Sequence, residues 1–222
     1  MVRELPQLPA STTECTACII GKQHRESFPK KSQWHASQRL QLIHADICGP
    51  ITPTSNNKKM YFLCLIDDYS RKTWVYFLAE KSKALQHFQY FKKLVEKETG
   101  QYIKCIRTDR GGKFNSLEFN EFCKQNGIKR QLTTAYTPQQ NGVVERKNSI
   151  VMSLVRSMLS EKKIPKSFWA EAVNWIIYVL NRCPTNVVKD MTPEEVWTGK
   201  KPSVEHFRVF GCVAHVHIPN AR

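Results

Sequence analysis

Three acidic residues are set apart by their surroundings. Asp46 falls at the end of a short apolar run, residues 40–47, just before Gly49-Pro50 breaks the chain. A second strand-like run, residues 102–107, leads directly to Thr108-Asp109. Glu145 is the first acid in a stretch free of Gly and Pro, residues 143–164, where Val144, Val151, Val155 and Met158/Leu159 recur at roughly helical spacing. Phosphoryl chemistry with two metal ions needs several carboxylates at one point, so that a pair of Mg²⁺ ions activates the attacking oxygen and stabilises the leaving one. Strand ends and a packed helix hold such ligands best. Compensation of the helix dipole is a competing account of Glu145. Asp67, Asp68, Glu118 and Glu121 are further acids to choose from, although Asp67 and Asp68 read as hairpin residues bonding the local backbone.

The elements that must position these groups follow from periodicity and punctuation. Strands are expected at 40–47, 59–67, 72–79, 102–107 and 128–132, the second and third joined as a hairpin across Asp68-Tyr69-Ser70-Arg71. A helix is expected from an N-cap at Ser82 to Gly100, and a short one from a capping box of Asn115 and Glu118 to Gly127. The loop Tyr136-Thr137-Pro138-Gln139-Gln140-Asn141-Gly142 cannot be helical around Pro138 and feeds the helix that carries Glu145. A further helix starts near Pro165 and is stopped by Pro184. Thr192, Pro193 and Glu195 open another, and a strand-like segment, 208–216, follows. The order β-β-β-α-β-α-β-α-α describes a mixed sheet with helices on its faces. In it the first and fourth strands can lie side by side and bring Asp46 and Asp109 to one edge.

The chain has 222 residues and a formal net charge of +15, spread along its length. A basic folded domain points to nucleic acid, through phosphate neutralisation and counterion release. Arg146, Lys147 and Arg156 on the Glu145 helix are the expected phosphate contacts, with Gln140 and Asn141 on the preceding loop as candidates for DNA-end contacts. An ordinary solvated helix face is the alternative for the three cations. The most apolar stretch, 168–180, is too short to span a bilayer. Of eight cysteines only Cys15 and Cys18 are clustered, and single cysteines in apolar runs suit a reducing compartment. A soluble intracellular protein without a membrane partner is expected. His44, two residues before Asp46, shares its strand face; a structural histidine is the simpler reading. Trp169, Trp175, Tyr178 and Phe168 read as packing residues.

Several segments in order carry a resemblance: CTACIIGKQHRESFP, LIHADICGPITP, YFLCLIDDYSRKTWVYFL, IRTDRGGKF, YTPQQNGVVERKN, FWAEAVNWIIYVLNRCPT, TPEEVWTGKKP and HFRVFGCVAHVHIP. The chain resembles the integrase region of copia-type LTR retrotransposon polyproteins, within the retroviral integrase superfamily. The resemblance implies an α/β, ribonuclease H-like fold, a five-stranded mixed sheet flanked by helices on both faces. It implies a catalytic triad of Asp46, Asp109 and Glu145, with 35 residues between the last two, holding two Mg²⁺ (or Mn²⁺) ions. The implied reaction joins the element's DNA 3′ ends to target DNA, with end processing where needed, in the nucleus and in a homo-oligomer on DNA ends. An endonuclease of the same fold without strand transfer, or an inactive DNA-binding fragment, is the alternative. The implied organisation is a tail, a zinc-module remnant and a linker at 1–39, a catalytic core at 40–164, and a helical extension with a terminal strand-like segment at 165–222. The family places two His before its CxxC. Here none precedes Cys15, so Cys15 and Cys18 are half of an HHCC site, able to hold Zn²⁺ only if the His pair is supplied. On this reading the chain is a fragment or a degenerate reading frame. Two positions depart from the family pattern. Lys113 stands where Glu is usual, which bears on a salt bridge or water contact near the site. Ser149 stands where Arg is usual, which bears on one DNA contact.

Overall fold

The computed structural model describes residues 34–109, 114–132 and 141–213. From His35 onward these belong to one compact unit. Strands β1 (Ile43–Cys48), β2 (Tyr61–Asp67) and β3 (Thr73–Leu78) are followed by helix α1 (Ala84–Thr99), strand β4 (Cys105–Thr108), helix α2 (Leu117–Gln125) and strand β5 (Lys129–Leu132). Helices α3 (Gly142–Glu161), α4 (Trp169–Leu180) and α5 (Pro193–Thr198) complete the set. The five strands form one sheet in the order β3-β2-β1-β4-β5. β1–β2 and β2–β3 pair antiparallel, whereas β1–β4 and β4–β5 pair parallel. The expected hairpin and the expected neighbourhood of the first and fourth strands are both present.

Alternation along the central strands splits the interior into two layers. Ile43, Ala45, Leu63 and Leu65 pack with Phe88, Phe91 and Val95 of α1, Phe119 and Cys123 of α2, and Trp197 of α5. Phe62, Cys64 and Ile66 point the other way, onto Val144, Val151 and Val155 of α3 and Val173, Ile176 and Ile177 of α4. β2 is therefore apolar on both faces, as a strand covered twice must be. Each fully buried Phe or Leu contributes roughly 1.5–3 kcal/mol of transfer free energy. The 165–198 segment is integral to this core, because α4 covers one face and Trp197 of α5 the other.

Several expected boundaries move. β1 starts at Ile43, because Leu40 has a positive φ of 61° and its N–H donates to Asp67 Oδ1 at 2.9 Å. Ser82 does not cap α1. It lies in a 3₁₀ turn (Lys81–Lys83), and its hydroxyl donates to Glu80 at 2.8 Å. α2 is capped by Ser116, one residue past Asn115: Ser116 is extended and its hydroxyl accepts from Phe119 N at 3.2 Å. α4 ends at Leu180, before Pro184. There the Asn181 side chain bonds both the N–H and the C=O of Thr73 at the start of β3. Thr192 caps α5 through Glu195 N, with Pro193 in the first turn. No strand forms at 208–213, a largely exposed stretch with no sheet partner; the remainder of the expected segment lies outside the described residues. No described helix is long and apolar enough to cross a membrane.

Candidate active site

β1 and β4 run parallel with Ile43 opposite Ile106, His44 opposite Arg107 and Ala45 opposite Thr108. One step further this register sets Asp46 against Asp109. Strands pair at about 5 Å, and opposed residues of a parallel pair project to the same side. That side is the face covered by α3, because Ala45 and Ile106 belong to the opposite layer. The crossing of α3 is recorded by one contact: Asn148 Nδ2 donates to Asp46 Oδ2 at 2.8 Å. Glu145 lies one turn earlier on α3, exposed, in the helix's first turn. Beyond Asp46 the chain must turn sharply under β2. Gly49 does this with φ 123°, where a Cβ would come within 2.6 Å of Met60 O and 2.8 Å of Tyr61 Cδ1.

Asp46 and Glu145 both feel neighbouring carboxylate charge. The Asp46 carboxyl is held above its ordinary range, first by burial and then by the Asp109 charge, while the Asn148 hydrogen bond opposes the rise. Glu145 is raised too, by loss of solvent and then by Asp46 and Asp109. Repulsion of this kind is what a cation relieves. The donor set is all oxygen, which suits a hard divalent ion. Among the described residues, however, no three His, Cys, Asp or Glu side chains stand close enough to share one ion. Strand register makes Asp46 and Asp109 neighbours, and Glu145 approaches them from the first turn of α3.

Next to this pair lies a second polar cluster. His44, on the same β1 face as Asp46, is buried and its Nε2 meets Asp68 Oδ1 at 2.9 Å. Arg71 Nη2 lies 3.2 Å from the same oxygen, and Ala36 N–H donates to Asp68 Oδ2 at 2.7 Å. These partners hold the Asp68 carboxyl well below the usual range against the cost of burial. Burial pushes the His44 imidazole down. Asp67 accepts from the Ser70 N–H and hydroxyl at 2.8 and 2.7 Å. Both acids are thus committed to the hairpin and to the segment entering β1.

The expected DNA contacts divide. Arg146 and Arg156 are exposed on α3, and the Arg146 guanidinium lies back over the first turn, close to Gly142. Lys147 is half-buried, and its ammonium is pushed down in pKa first by burial, with Arg71 adding to it; it lies near Cys64. Its position flanks the core stripe of α3, so it is less available to a phosphate than its neighbours. Asn141 stands at the start of α3, buried, with neither side-chain polar atom hydrogen-bonded. Gln140, Cys15 and Cys18 lie outside the described residues. Asn148 has no sequence signal beyond its place in the Glu145-Arg146-Lys147-Asn148 run, where it is one helical turn from Glu145.

Comparison with known proteins agrees with this architecture. Residues 36–138 match the family model described as "Integrase core domain", a span that includes Asp46 and Asp109 and stops short of Glu145. The retrovirus-related Pol polyprotein from transposon TNT 1-94 of Nicotiana tabacum is 46% identical over 205 residues, 92% of this chain and 15% of that protein. That from transposon RE2 of Arabidopsis thaliana is 32% identical over 202 residues, 90% of this chain and 14% of the relative. The chain thus spans about one seventh of the length of these relatives. Among solved structures, the simian T-cell lymphotropic virus intasome in complex with a PP2A regulatory subunit has a chain that superposes with TM-score 0.65 at 18% identity, over 91% of this chain and 67% of that one. The HTLV-2 integrase catalytic core domain in complex with magnesium, in a trimeric form, superposes with TM-score 0.53 at 22% identity, over 70% of this chain and 95% of that one. The solved structures share the fold of the five-stranded mixed sheet and its helical layers, and the family model with the two transposon polyproteins shows that the chain carries an integrase core domain and belongs to the retrotransposon integrase family.

Proposed function

We propose that this domain catalyses DNA integration: a 3′-hydroxyl of the element's DNA attacks a target phosphodiester in line, and water attacks instead where ends are trimmed. The observation that carries the reading is the pairing of Asp46 with Asp109 at adjacent ends of parallel strands, under the helix that bears Glu145. Asp46 and Asp109 would hold Mg²⁺ or Mn²⁺ between them, with Glu145 as the third carboxylate; two ions is the family expectation. When bound, the metal supplies charge neutralisation at the reacting phosphate and a more acidic attacking oxygen.

The remaining work belongs to the chain. Asn148 aims one Asp46 oxygen and favours the ionised carboxylate against burial and the Asp109 charge. Gly49 lets the polypeptide leave β1 close against Met60 and Tyr61, where a Cβ would clash. Arg146 and Arg156 neutralise phosphates along α3. Catalysis is then mostly positioning and charge stabilisation. DNA is the partner, acting in the nucleus, and self-assembly on two DNA ends is the working form. The trimeric and dimeric HTLV-2 structures support the capacity of this fold to assemble.

The test supplies short duplex ends and a plasmid with Mg²⁺ or Mn²⁺, and compares the parent with Asp109→Asn. Joined products from the parent alone support the reading. Cleavage without joining replaces strand transfer with nuclease activity. DNA binding without metal-dependent products from either protein leaves a binding module.

A further inference from the structure

Away from the carboxylates, on the α3 side of the sheet, lies a cavity of about 770 Å³. One wall is the 50–52 segment, which continues from β1 beyond Asp46. The other is the C-terminal half of α3 and the turn leading into α4. Both walls are thus extensions of elements that hold the carboxylates. Along α3, Glu145, Met152, Arg156 and Ser160 follow one another at seven, four and four residues and fall on one stripe, and Lys163 lies just past the helix end. The stripe that starts at Glu145 ends inside the cavity. Its floor is aliphatic, with Ile51, Val155, Leu159 and Ile164. Among the described residues its charged lining is Arg156, Lys163 and Lys166, with no carboxylate.

We infer that this cavity is a second nucleic-acid subsite, taking an unpaired nucleotide of the strand whose phosphodiester lies at the carboxylates. The inference rests on the proposed function. An apolar slot under a cationic rim matches a nucleotide's two halves, a base with a wide apolar face and an anionic phosphate. The volume is in the range of preformed ligand sites. Eleven residues of helix between Glu145 and Arg156 span roughly 16 Å. At about 3.4 Å per nucleotide of one strand, the captured base lies about five nucleotides from the reacting phosphate. The charge excludes a cationic occupant, and the aliphatic floor adds a preference for a base over bare phosphate.

The test uses the full chain, a blunt duplex, the same duplex with a five-nucleotide single-stranded tail, and a tailed duplex whose last nucleotides are abasic. Affinities are read by fluorescence anisotropy at fixed salt. The tail is expected to tighten binding about tenfold, the worth of roughly one stacked base. The abasic tail is expected to forfeit most of that gain. Ser160→Trp, an exposed position whose new side chain fills the slot, is expected to lose the tail increment and keep the blunt-duplex affinity. Arg156→Ala/Lys163→Ala should weaken both tails alike. No tail increment in the parent, an increment that the abasic tail reproduces, or one that survives Ser160→Trp would overturn the subsite while leaving blunt-duplex binding intact. Failure to bind any of the DNAs would overturn the proposed function itself.

Discussion

Asn148→Ala separates a positioning role from a structural one. The parent side chain is buried, and Nδ2 donates to Asp46 Oδ2 at 2.8 Å. A hydrogen bond to a charged group contributes about 1.5–3 kcal/mol. The same side chain buries Oδ1 without a partner, an orphan worth about 1–3 kcal/mol in the opposite sense. The two nearly cancel, so the net change in folding free energy at neutral pH is expected within about 1 kcal/mol. The effect on Asp46 does not cancel, because the lost bond favours only its ionised form. Asp46 already has a folded pKa above its ordinary value. Its ionisation therefore costs stability, and the cost grows as pH rises through that folded value. Without Asn148 the cost is larger, so the advantage the variant gains at acidic pH from losing the orphaned Oδ1 is offset as pH rises and Asp46 ionises. The activity gap runs the other way. The variant protonates Asp46 more readily, so its joining is expected to fall further below the parent's as pH falls and to recover toward parental rates as pH rises. The assay is strand joining with oligonucleotide ends across a range of pH, with thermal melts of both proteins alongside. A uniform loss of joining at every pH, or a melt showing more than about 3 kcal/mol of destabilisation, would refute the argument.

Three further outcomes follow from the same charges. In chelator, Asp109→Asn should melt higher than the parent near neutral pH, because it removes the charge that repels Asp46, and the difference should shrink as pH falls and Asp46 protonates; added Mg²⁺ should raise the melting temperature of the parent only. Asp68→Ala leaves buried His44 and Arg71 without their shared carboxylate, so a loss of about 3–5 kcal/mol is expected by denaturant unfolding. Because the Asp68 pKa is depressed on folding, its contribution is present above the unfolded value and lost as pH falls, so the variant's stability should change less than the parent's on acidification. Arg146→Ala should weaken duplex binding about equally across sequences and lower the slope of log affinity against log salt by about one; an unchanged slope would remove Arg146 from the phosphate contacts.

What could be read from the sequence divides along a physical line. Asp46 and Asp109 are legible because each ends an apolar run, and a parallel pairing of those runs brings strand-end residues together without further information. Glu145 is legible through the 3.6-residue period of its helix. The starts of α1 at Ala84 and of α2 at Leu117 are less so, since several polar residues stand side by side there and only backbone geometry decides which caps: Ser116, not Asn115, has the extended φ/ψ that a cap needs. Asn148 and the His44–Asp68–Arg71 cluster are illegible for another reason. Their partners are set by where α3 crosses β1, 102 residues away in sequence, and by how the hairpin folds over the segment entering β1. Local period says that Asn148 faces inward and that an inward amide must find a partner; only the tertiary crossing says that the partner is Asp46. The same crossing leaves Glu145 exposed in the first turn of α3, one helical turn before the amide that reaches Asp46, a placement that local period gives for the helix face but not for the strand it meets.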